Sequence, residues 1–200
     1  MVPTEEPSDE TLVARAAAGD DFAFETIVAR YQARVFRLAC RLTSETDAPD
    51  VLQETFLQVY RHLSSFRGES QFRTWLYRIA SNAALMHRRA STRRRAEPLD
   101  VFLPRFDSQG RHAGTPAELQ VASHADELLD RQFLADKTRE IIVQLPDAYR
   151  DAFVLRDLEE MSTEEVASTL GVTAATVRQR VHRARLILRG YLSDLVGVKP

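Results

Sequence analysis

The side chains best suited to chemistry in this sequence form a basic cluster. Residues 172–191 contain five arginines and no acidic side chain. Arginine can donate two hydrogen bonds to the edge of a guanine, and a glutamine such as Gln179 can pair with an adenine edge. Arginines that do not reach a base can bind phosphates. These residue types therefore point to DNA binding. The arginines are Arg178, Arg180, Arg183, Arg185 and Arg189.

Two short predicted helices must position this cluster. Ser162 followed by Glu165 is a capping box, which predicts a helix start, and Gly171 interrupts that helix as a residue that tolerates positive φ. Thr173 is the expected N-cap of the second helix. The pattern is typical of a DNA-binding helix-turn-helix; the alternative is a solvated, arginine-rich helix that ends a bundle. The predicted apolar positions are Val166, Ala167 and Leu170 in the first helix and Val177, Val181, Ala184 and Leu188 in the second.

The charge of the chain is segregated, although its sum is small. The net charge is −2 over 200 residues, yet residues 67–95 contain eight arginines against one acid, Glu69. Two basic tracts in an otherwise acidic chain indicate two separate nucleic-acid contacts. Cys40 is the only cysteine, which excludes an internal disulfide and a zinc site built from cysteines. Its apolar neighbours predict a buried position on a helix.

The sequence contains no signature of catalysis or of membrane insertion. The five histidines show no metal-ligand spacing, and there is no glycine-rich phosphate loop and no nucleophile motif. We therefore expect no catalytic residues, no metal and no cofactor. No apolar run has the length of a membrane span, and the acidic N-terminus does not resemble a signal peptide. We expect a cytoplasmic protein.

The first half of the chain predicts four helices with short connections, the pattern of a helical bundle. Ser8 begins the first helix and Gly19 closes it, while Asp20 or Asp21 caps the second. The third helix enters at Asp47, and the fourth has an apolar face opposite a row of arginines. We assign Phe72, Trp75, Leu76, Ile79, Ala80 and Ala83 to its inward face and Arg73, Arg78, Arg88 and Arg89 to its outward face.

The composition changes after Arg95, where prolines and glycines interrupt a stretch without helical periodicity. We predict an inter-domain linker over residues 96–124, with one domain over 1–95 and a second over 125–200. Pro146 restarts the chain into a further helix ahead of the helix-turn-helix. The predicted fold class is all-α, with two small helical domains joined by a flexible linker.

Three long motifs occur in a fixed order along the chain. They are DAPDVLQETFLQVYRHL, FRGESQFRTWLYRIASNAALMHRR and, far downstream, LPDAYRDAFVLRDLEEMSTEEVASTLGVTAATVRQRVHRAR. Together they resemble the bacterial sigma factors of the extracytoplasmic-function (ECF) group of the sigma-70 family, from about Asp20 to Arg189. The resemblance implies a protein that binds core RNA polymerase and directs it to particular promoters. It also implies control by an anti-sigma factor.

The resemblance further implies three sets of binding residues. The region-two domain binds the clamp helices of the largest polymerase subunit, and the region-four domain contacts the polymerase flap and reads the minus-thirty-five element. On the second helix of the helix-turn-helix, His182 stands where some members of the family have an aromatic side chain. The expected polymerase-binding residues are Asp47, Asp50, Val51, Gln53, Glu54, Leu57 and Gln58. The expected minus-ten residues, which also melt the DNA, are Phe66, Arg67, Gly68, Glu69, Ser70, Arg73, Arg78, Asn82, Arg88 and Arg89. The expected minus-thirty-five residues are Thr173, Thr176, Arg178, Gln179, Arg180, His182, Arg183 and Arg185.

Two other functions stay open from the residues alone. The first is a stand-alone helix-turn-helix regulator, which explains the C-terminal part but leaves residues 47–95 without a role. The second is an adaptor that holds an anti-sigma or signalling partner and never initiates transcription. Promoter-dependent transcription with core polymerase distinguishes both from a sigma factor.

Overall fold

The computed structural model describes residues 7–92 and 140–196, which belong to two separate units, each with its own apolar core. Every regular element in these two ranges is helical, so the predicted all-α class is confirmed. The predicted linker, residues 96–124, lies outside the described residues. The domain boundaries therefore stay a prediction.

The first unit is a helical bundle around its longest member. It contains α1 (Asp9–Ala17), α2 (Asp21–Leu42), α3 (Ala48–His62), a 3-10 turn (Leu63–Ser65) and α4 (Phe72–Thr92). Helix α2 packs against α1, α3 and α4. Ile27, Val35 and Leu38 are fully buried at its centre. Cys40, which was predicted to be buried, is only half-buried.

The predicted starts of the first two helices are confirmed. The Ser8 hydroxyl accepts a hydrogen bond from a first-turn amide of α1. Asp20 caps α2 by accepting from the Ala23 amide at 3.1 Å, and Gly19 joins the helices at φ 94°. The Ala23 amide and the Arg15 guanidinium both stabilise the carboxylate, so the pKa of Asp20 is lowered.

A polar cluster fixes α1 on α2. Asp9 at the start of α1 accepts hydrogen bonds from Arg30 Nη1, at 2.6 Å, and from the hydroxyl of Tyr31. Arg30 also donates to the carbonyl of Pro7 at 2.9 Å. Burial and the neighbouring Asp9 carboxylate both disfavour the phenolate, so they raise the pKa of Tyr31. The cluster therefore needs a protonated tyrosine.

Helix α4 has most of its predicted inward face. Phe72, Trp75, Leu76 and Ala80 are buried, and Ile79 and Ala83 are half-buried. The prediction that Arg88 faces outward is wrong: it is half-buried, and its Nη1 donates to the carbonyl of Leu42 at 2.8 Å. The last carbonyls of a helix lack an intrahelical donor. Arg88 satisfies one of them and so ties α4 to the end of α2.

The second unit packs its elements onto a long C-terminal helix. Residues 140–144 are helical, and α5 (Asp147–Phe153), a π-helical turn (Val154–Leu158), α6 (Thr163–Leu170) and α7 (Ala174–Val196) follow. Both α5 and α6 contact α7. Arg150 is buried on α5, where its guanidinium donates to the carbonyl of Val143 at 2.9 Å and to Asp147 at 2.6 Å. It thereby joins α5 to the preceding helical residues.

The π-helical turn replaces the continuous helix that the sequence predicts after Pro146. The Glu159 amide donates to the carbonyl of Val154, five residues earlier, at 3.0 Å. Such a turn accommodates one extra residue and is frequent at functional sites. Glu160 follows at φ 57°, in the left-handed region. The chain can therefore leave the helix sharply while Val154 and Leu155 stay buried.

Replacing Gly171 with alanine should destabilise the second unit, because Gly171 lies at φ 65°. A Cβ atom there meets nothing within 4 Å, so the cost is backbone strain alone, about 1–2 kcal/mol. Gly190, inside α7 with equally open space around it, is the matched control. Alanine there should raise the free energy of unfolding by about 0.5–1 kcal/mol. Chemical denaturation followed by circular dichroism measures both changes, and equal effects of the two substitutions would contradict this account of the turn.

Replacing Tyr31 with phenylalanine should lower the free energy of unfolding at neutral pH by about 1–3 kcal/mol, since a hydrogen bond to a carboxylate is lost. The pKa of Tyr31 is higher in the folded chain than its usual 10.0, so the folded state holds the proton more tightly. The stability that this provides is complete below pH 10 and falls as the pH rises through the folded pKa. The Tyr31→Phe chain should lack this part of the alkaline decrease.

Tyr60→Phe is the control, because Tyr60 is 60% exposed and contacts Phe24 through its ring. Urea denaturation at a series of pH values compares the two variants. If they change stability equally at every pH, the Asp9–Tyr31 contact does not stabilise α1 on α2.

Candidate nucleic-acid interface

Helix α7 presents a basic face because its apolar face is buried. Val177, Val181, Ala184 and Leu188 are all buried, as their spacing predicts. They pack toward α5 and α6, which both contact α7. The polar side chains on the other side of the helix therefore remain in solvent.

The turn before α7 has the predicted geometry. The Glu165 amide donates to Ser162 Oγ at 3.2 Å, and the Ser162 amide donates to the Glu165 carboxylate at 2.7 Å, which completes the capping box. Gly171 ends α6 in the left-handed conformation. Thr173 then caps α7 by accepting from the Thr176 amide at 3.1 Å. The helix-turn-helix is confirmed.

One predicted core position of α6 is wrong. Leu170 is half-buried, and Thr169 beside it is buried instead. The Thr169 hydroxyl donates to the carbonyl of Glu165 at 2.8 Å, so its polar atom is satisfied inside its own helix. A threonine can therefore occupy a core position that the apolar pattern assigns to its neighbour.

The structure brings most of the expected minus-thirty-five residues onto one exposed surface. Arg178, Gln179, His182 and Arg183 are exposed, and within the described residues no carboxylate pairs with Arg178 or Arg183. Thr173 and Thr176 bond to each other through their side chains at 2.9 Å, so they cap the helix. Arg180 is half-buried.

Arg185 differs from Arg178, Arg180 and Arg183 because it pairs with an acidic side chain. Its Nε donates to Asp157 Oδ2 at 2.7 Å and its Nη2 donates to Asp157 Oδ1 at 2.8 Å. This fork-to-fork pairing also raises the pKa of Arg185. The Asp157 side chain is only 17% exposed, whereas that of Arg185 is 62% exposed. Asp157 could not be predicted from the sequence, since nothing in the pattern links residues 28 positions apart.

The expected minus-ten loop is exposed but anchored. Phe66 is half-buried, with its ring centroid 5.1 Å from that of Trp75 and 5.9 Å from that of Phe72. The next four residues, 67–70, are exposed, and Gly68 lies at φ 71°. Trp75 is buried in this aromatic cluster, so its ring packs against the base of the loop through Phe66. It does not offer an exposed ring face on which a base could stack.

The other expected minus-ten residues lie along α4. Arg78, Asn82 and Arg89 are exposed, whereas Arg73 is half-buried. A helix rises about 1.5 Å per residue, so Asn82 lies about 15 Å along the axis from Phe72 at its start. The exposed set therefore forms an extended row, whereas Arg88, also expected in this set, is half-buried and donates to the carbonyl of Leu42 within the bundle.

The expected polymerase-binding face of α3 is mostly exposed. Asp50, Gln53, Glu54 and Leu57 are exposed, and Gln58 is half-buried with its amide donating to Glu54 at 2.7 Å. The two remaining members, Val51 and Asp47, are less exposed. Val51 is 1% exposed, so it lies in the core and cannot touch a partner. Asp47 accepts from the Ser44 hydroxyl at 2.9 Å.

Tyr60 extends this face, although it is not among the residues that the resemblance implies. It is 60% exposed and follows Leu57, 43% exposed, by one helical step. Its ring packs edge-on against Phe24 of α2, with centroids 5.0 Å apart. The missed signal is that neither residue fits the buried spacing of Val51, Thr55 and Val59. Large apolar side chains left outside such a stripe indicate a contact surface.

No helix among the described residues has the length and apolar character needed to cross a membrane. Within the same two ranges, no group of three or more histidine, cysteine or acidic side chains is arranged to hold a metal ion.

Both units match models of known families. Residues 27–94 match Sigma-70 region 2, and residues 135–188 match Sigma-70, region 4. The first match includes α3 and α4, and the second includes the helix-turn-helix. The two matches stand in the order that the motifs predict.

Two relatives are similar over nearly their whole length. The ECF RNA polymerase sigma-E factor of Haemophilus influenzae is 38% identical, with 96% of this chain and 99% of that protein covered. The ECF RNA polymerase sigma-E factor of Escherichia coli K12 is 36% identical, with 96% and 98% covered. CnrH, solved in complex with the cytosolic domain of CnrY, is 26% identical with a TM-score of 0.60, over 94% of this chain and 99% of that one. The chain therefore belongs to the sigma-70 family, as a sigma factor of the ECF group.

Proposed function

We propose that this sigma factor reads the minus-thirty-five element with the exposed face of α7 and the minus-ten element with the 66–70 loop and α4. The single observation that carries the proposal is the segregation of α7 into a buried apolar stripe and an exposed basic face. A recognition helix needs both, because it must be held rigidly while its polar face enters the major groove. We propose that the two domains of the chain span residues 1–95 and 125–200.

Base reading is assigned to the N-terminal half of α7. The N-terminal residues of a recognition helix are those that reach base edges. Arg178 and Gln179 stand in the first turns of α7, and their side chains are exposed. Arginine suits a guanine and glutamine an adenine, while His182 and Arg183 lie one turn further along and suit either a base or a phosphate.

Minus-ten reading is assigned to the first unit. Melting requires that a flipped base be enclosed and the single strand held. The exposed residues 67–70 on their aromatic anchor suit the enclosure, and the amide of Asn82 suits a hydrogen bond to a base. Arg78 and Arg89 are exposed on the same helix and suit phosphates.

Core polymerase binding is assigned to the exposed face of α3. Asp50, Gln53 and Glu54 provide acidic and polar groups, and Leu57 with Tyr60 provides an apolar centre. An interface commonly combines an apolar core with a polar rim. The second unit is proposed to contact the polymerase flap. Once polymerase holds both units, two weak DNA contacts act as one strong contact through their high effective concentration.

We also infer control by an anti-sigma factor. The related CnrH was captured with the cytosolic domain of another protein, and a partner of this kind would cover the binding faces of this chain. We propose no catalytic step and no cofactor for this protein. We also propose that it acts in the cytoplasm with RNA polymerase. An adaptor that never initiates transcription is the competing function.

Run-off transcription from genomic fragments with core polymerase should produce transcripts that depend on this chain. Arg178→Ala should reduce them about 10–100-fold, because one bidentate base contact is worth about 1–3 kcal/mol. Arg37→Ala is the matched control, since Arg37 is an exposed arginine of α2 outside all proposed sites. Loss of dependence on a shared promoter motif in the Arg178→Ala transcripts would identify the base position that it reads.

The result that would overturn the proposal is a folded chain that binds core polymerase yet yields no dependent transcript. An adaptor would behave in that way. A chain that protects duplex DNA tightly without polymerase would instead support a stand-alone regulator.

Leu57→Ala should weaken binding to core polymerase about tenfold or more, because a buried leucine side chain contributes about 1.5–3 kcal/mol. The variant should fold normally, since Leu57 is 43% exposed in the free chain. Met86→Ala, at a 69% exposed apolar position on α4, is the control and should bind as the wild type does. Titration of labelled chain with core polymerase measures both, and equal affinities would remove α3 from the interface.

A further inference from the structure

The ion pair between Asp157 and Arg185 joins the element before the helix-turn-helix to the recognition helix. Both nitrogen–oxygen distances are short, 2.7 and 2.8 Å, and the pairing uses both carboxylate oxygens. Bidentate pairs of this kind are geometrically specific as well as strong. The guanidinium of Arg185 is therefore joined to Asp157, although the Arg185 side chain is 62% exposed.

Asp157 is held where it can make this pair. It lies in the π-helical turn Val154–Leu158, with Val154 and Leu155 buried beside it. Its own side chain is only 17% exposed, so the carboxylate has little freedom to turn away.

Arg185 shares the DNA-facing side of α7 with Arg178. Seven residues correspond to almost two full helical turns, so the two side chains point in nearly the same direction about 10 Å apart. Within the described part of the chain, Arg178, Arg180 and Arg183 pair with no carboxylate. A row of arginines on one helix thus contains a member whose charge is neutralised internally.

We propose that Asp157 is a specificity-determining residue that withholds Arg185 from DNA phosphates, so that Arg185 positions the recognition helix and does not clamp the backbone. This deepens the proposed function and rests on it. Phosphate contacts raise affinity for every sequence alike. Because the ion pair keeps the charge of Arg185 from the phosphates, it lowers non-specific binding. Base reading by Arg178 and Gln179 is kept.

The experiment measures binding of the full chain to a short duplex of random sequence between about 50 and about 200 mM salt. The Asp157→Asn substitution removes the charge that holds Arg185, so Arg185 should then contact a DNA phosphate. The slope of log affinity against log salt should steepen by about 0.9, and elution from heparin should need more salt. The double variant Asp157→Asn, Arg185→Gln should keep the wild-type slope, because neither member of the pair then carries charge. Arg183→Gln, which removes an unpaired arginine, should make the slope shallower by about 0.9.

Two results would overturn the inference. One is a double variant whose slope falls as far as that of Arg183→Gln, since Arg185 would then already contact phosphate in the wild type. The other is an Asp157→Asn chain, folded by circular dichroism, with the wild-type slope and heparin elution. Either result leaves the proposed function intact if the wild type initiates transcription in the run-off assay, so the two failures are distinguishable. If Asp157→Asn does not fold, the double variant alone decides.

Discussion

The second unit depends on the burial of the apolar face of α7. Val177, Val181, Ala184 and Leu188 are removed from water by packing toward α5 and α6. Each buried side chain of this size contributes on the order of 1–3 kcal/mol, and together they fix the rotation of the helix about its axis. Because that rotation is fixed, the polar side chains on the opposite side of the helix face solvent. Arg178 and Gln179 are among them. Core packing therefore sets the direction in which the basic surface points.

The first unit reaches a similar end with polar contacts between helices. Asp9 holds α1 to α2 through Arg30 and Tyr31, and Arg88 of α4 closes the end of α2 at Leu42. These contacts connect residues that are distant along the chain, and each uses a charged group where a neutral one would bind more weakly. These contacts hold α1 and α4 against α2, and α4 carries the exposed row of side chains.

Much of the architecture follows from local sequence rules, and the exceptions have physical reasons. The caps at Ser8 and Asp20, the capping box at Ser162 and the turn at Gly171 were predictable because each involves neighbours within one turn. The π-helical turn and the Arg185–Asp157 pair were not, since both depend on how distant segments pack. The predictions for Arg88 and Val51 were wrong for a related reason. A charged side chain on a helix need not face water, and a residue within a binding motif need not lie on the surface. The residues that read DNA and bind polymerase remain assigned by resemblance and exposure.

The aromatic anchor of the 66–70 loop has a practical consequence. Trp75 is the single tryptophan of the chain, and the ring of Phe66 stands 5.1 Å from it. Any event that moves the base of the loop must change the surroundings of that indole, and the intrinsic emission of an indole is sensitive to its surroundings. The molecule thus carries its own optical reporter at the place where strand separation is proposed to begin, and promoter opening can be followed in time without attaching a dye.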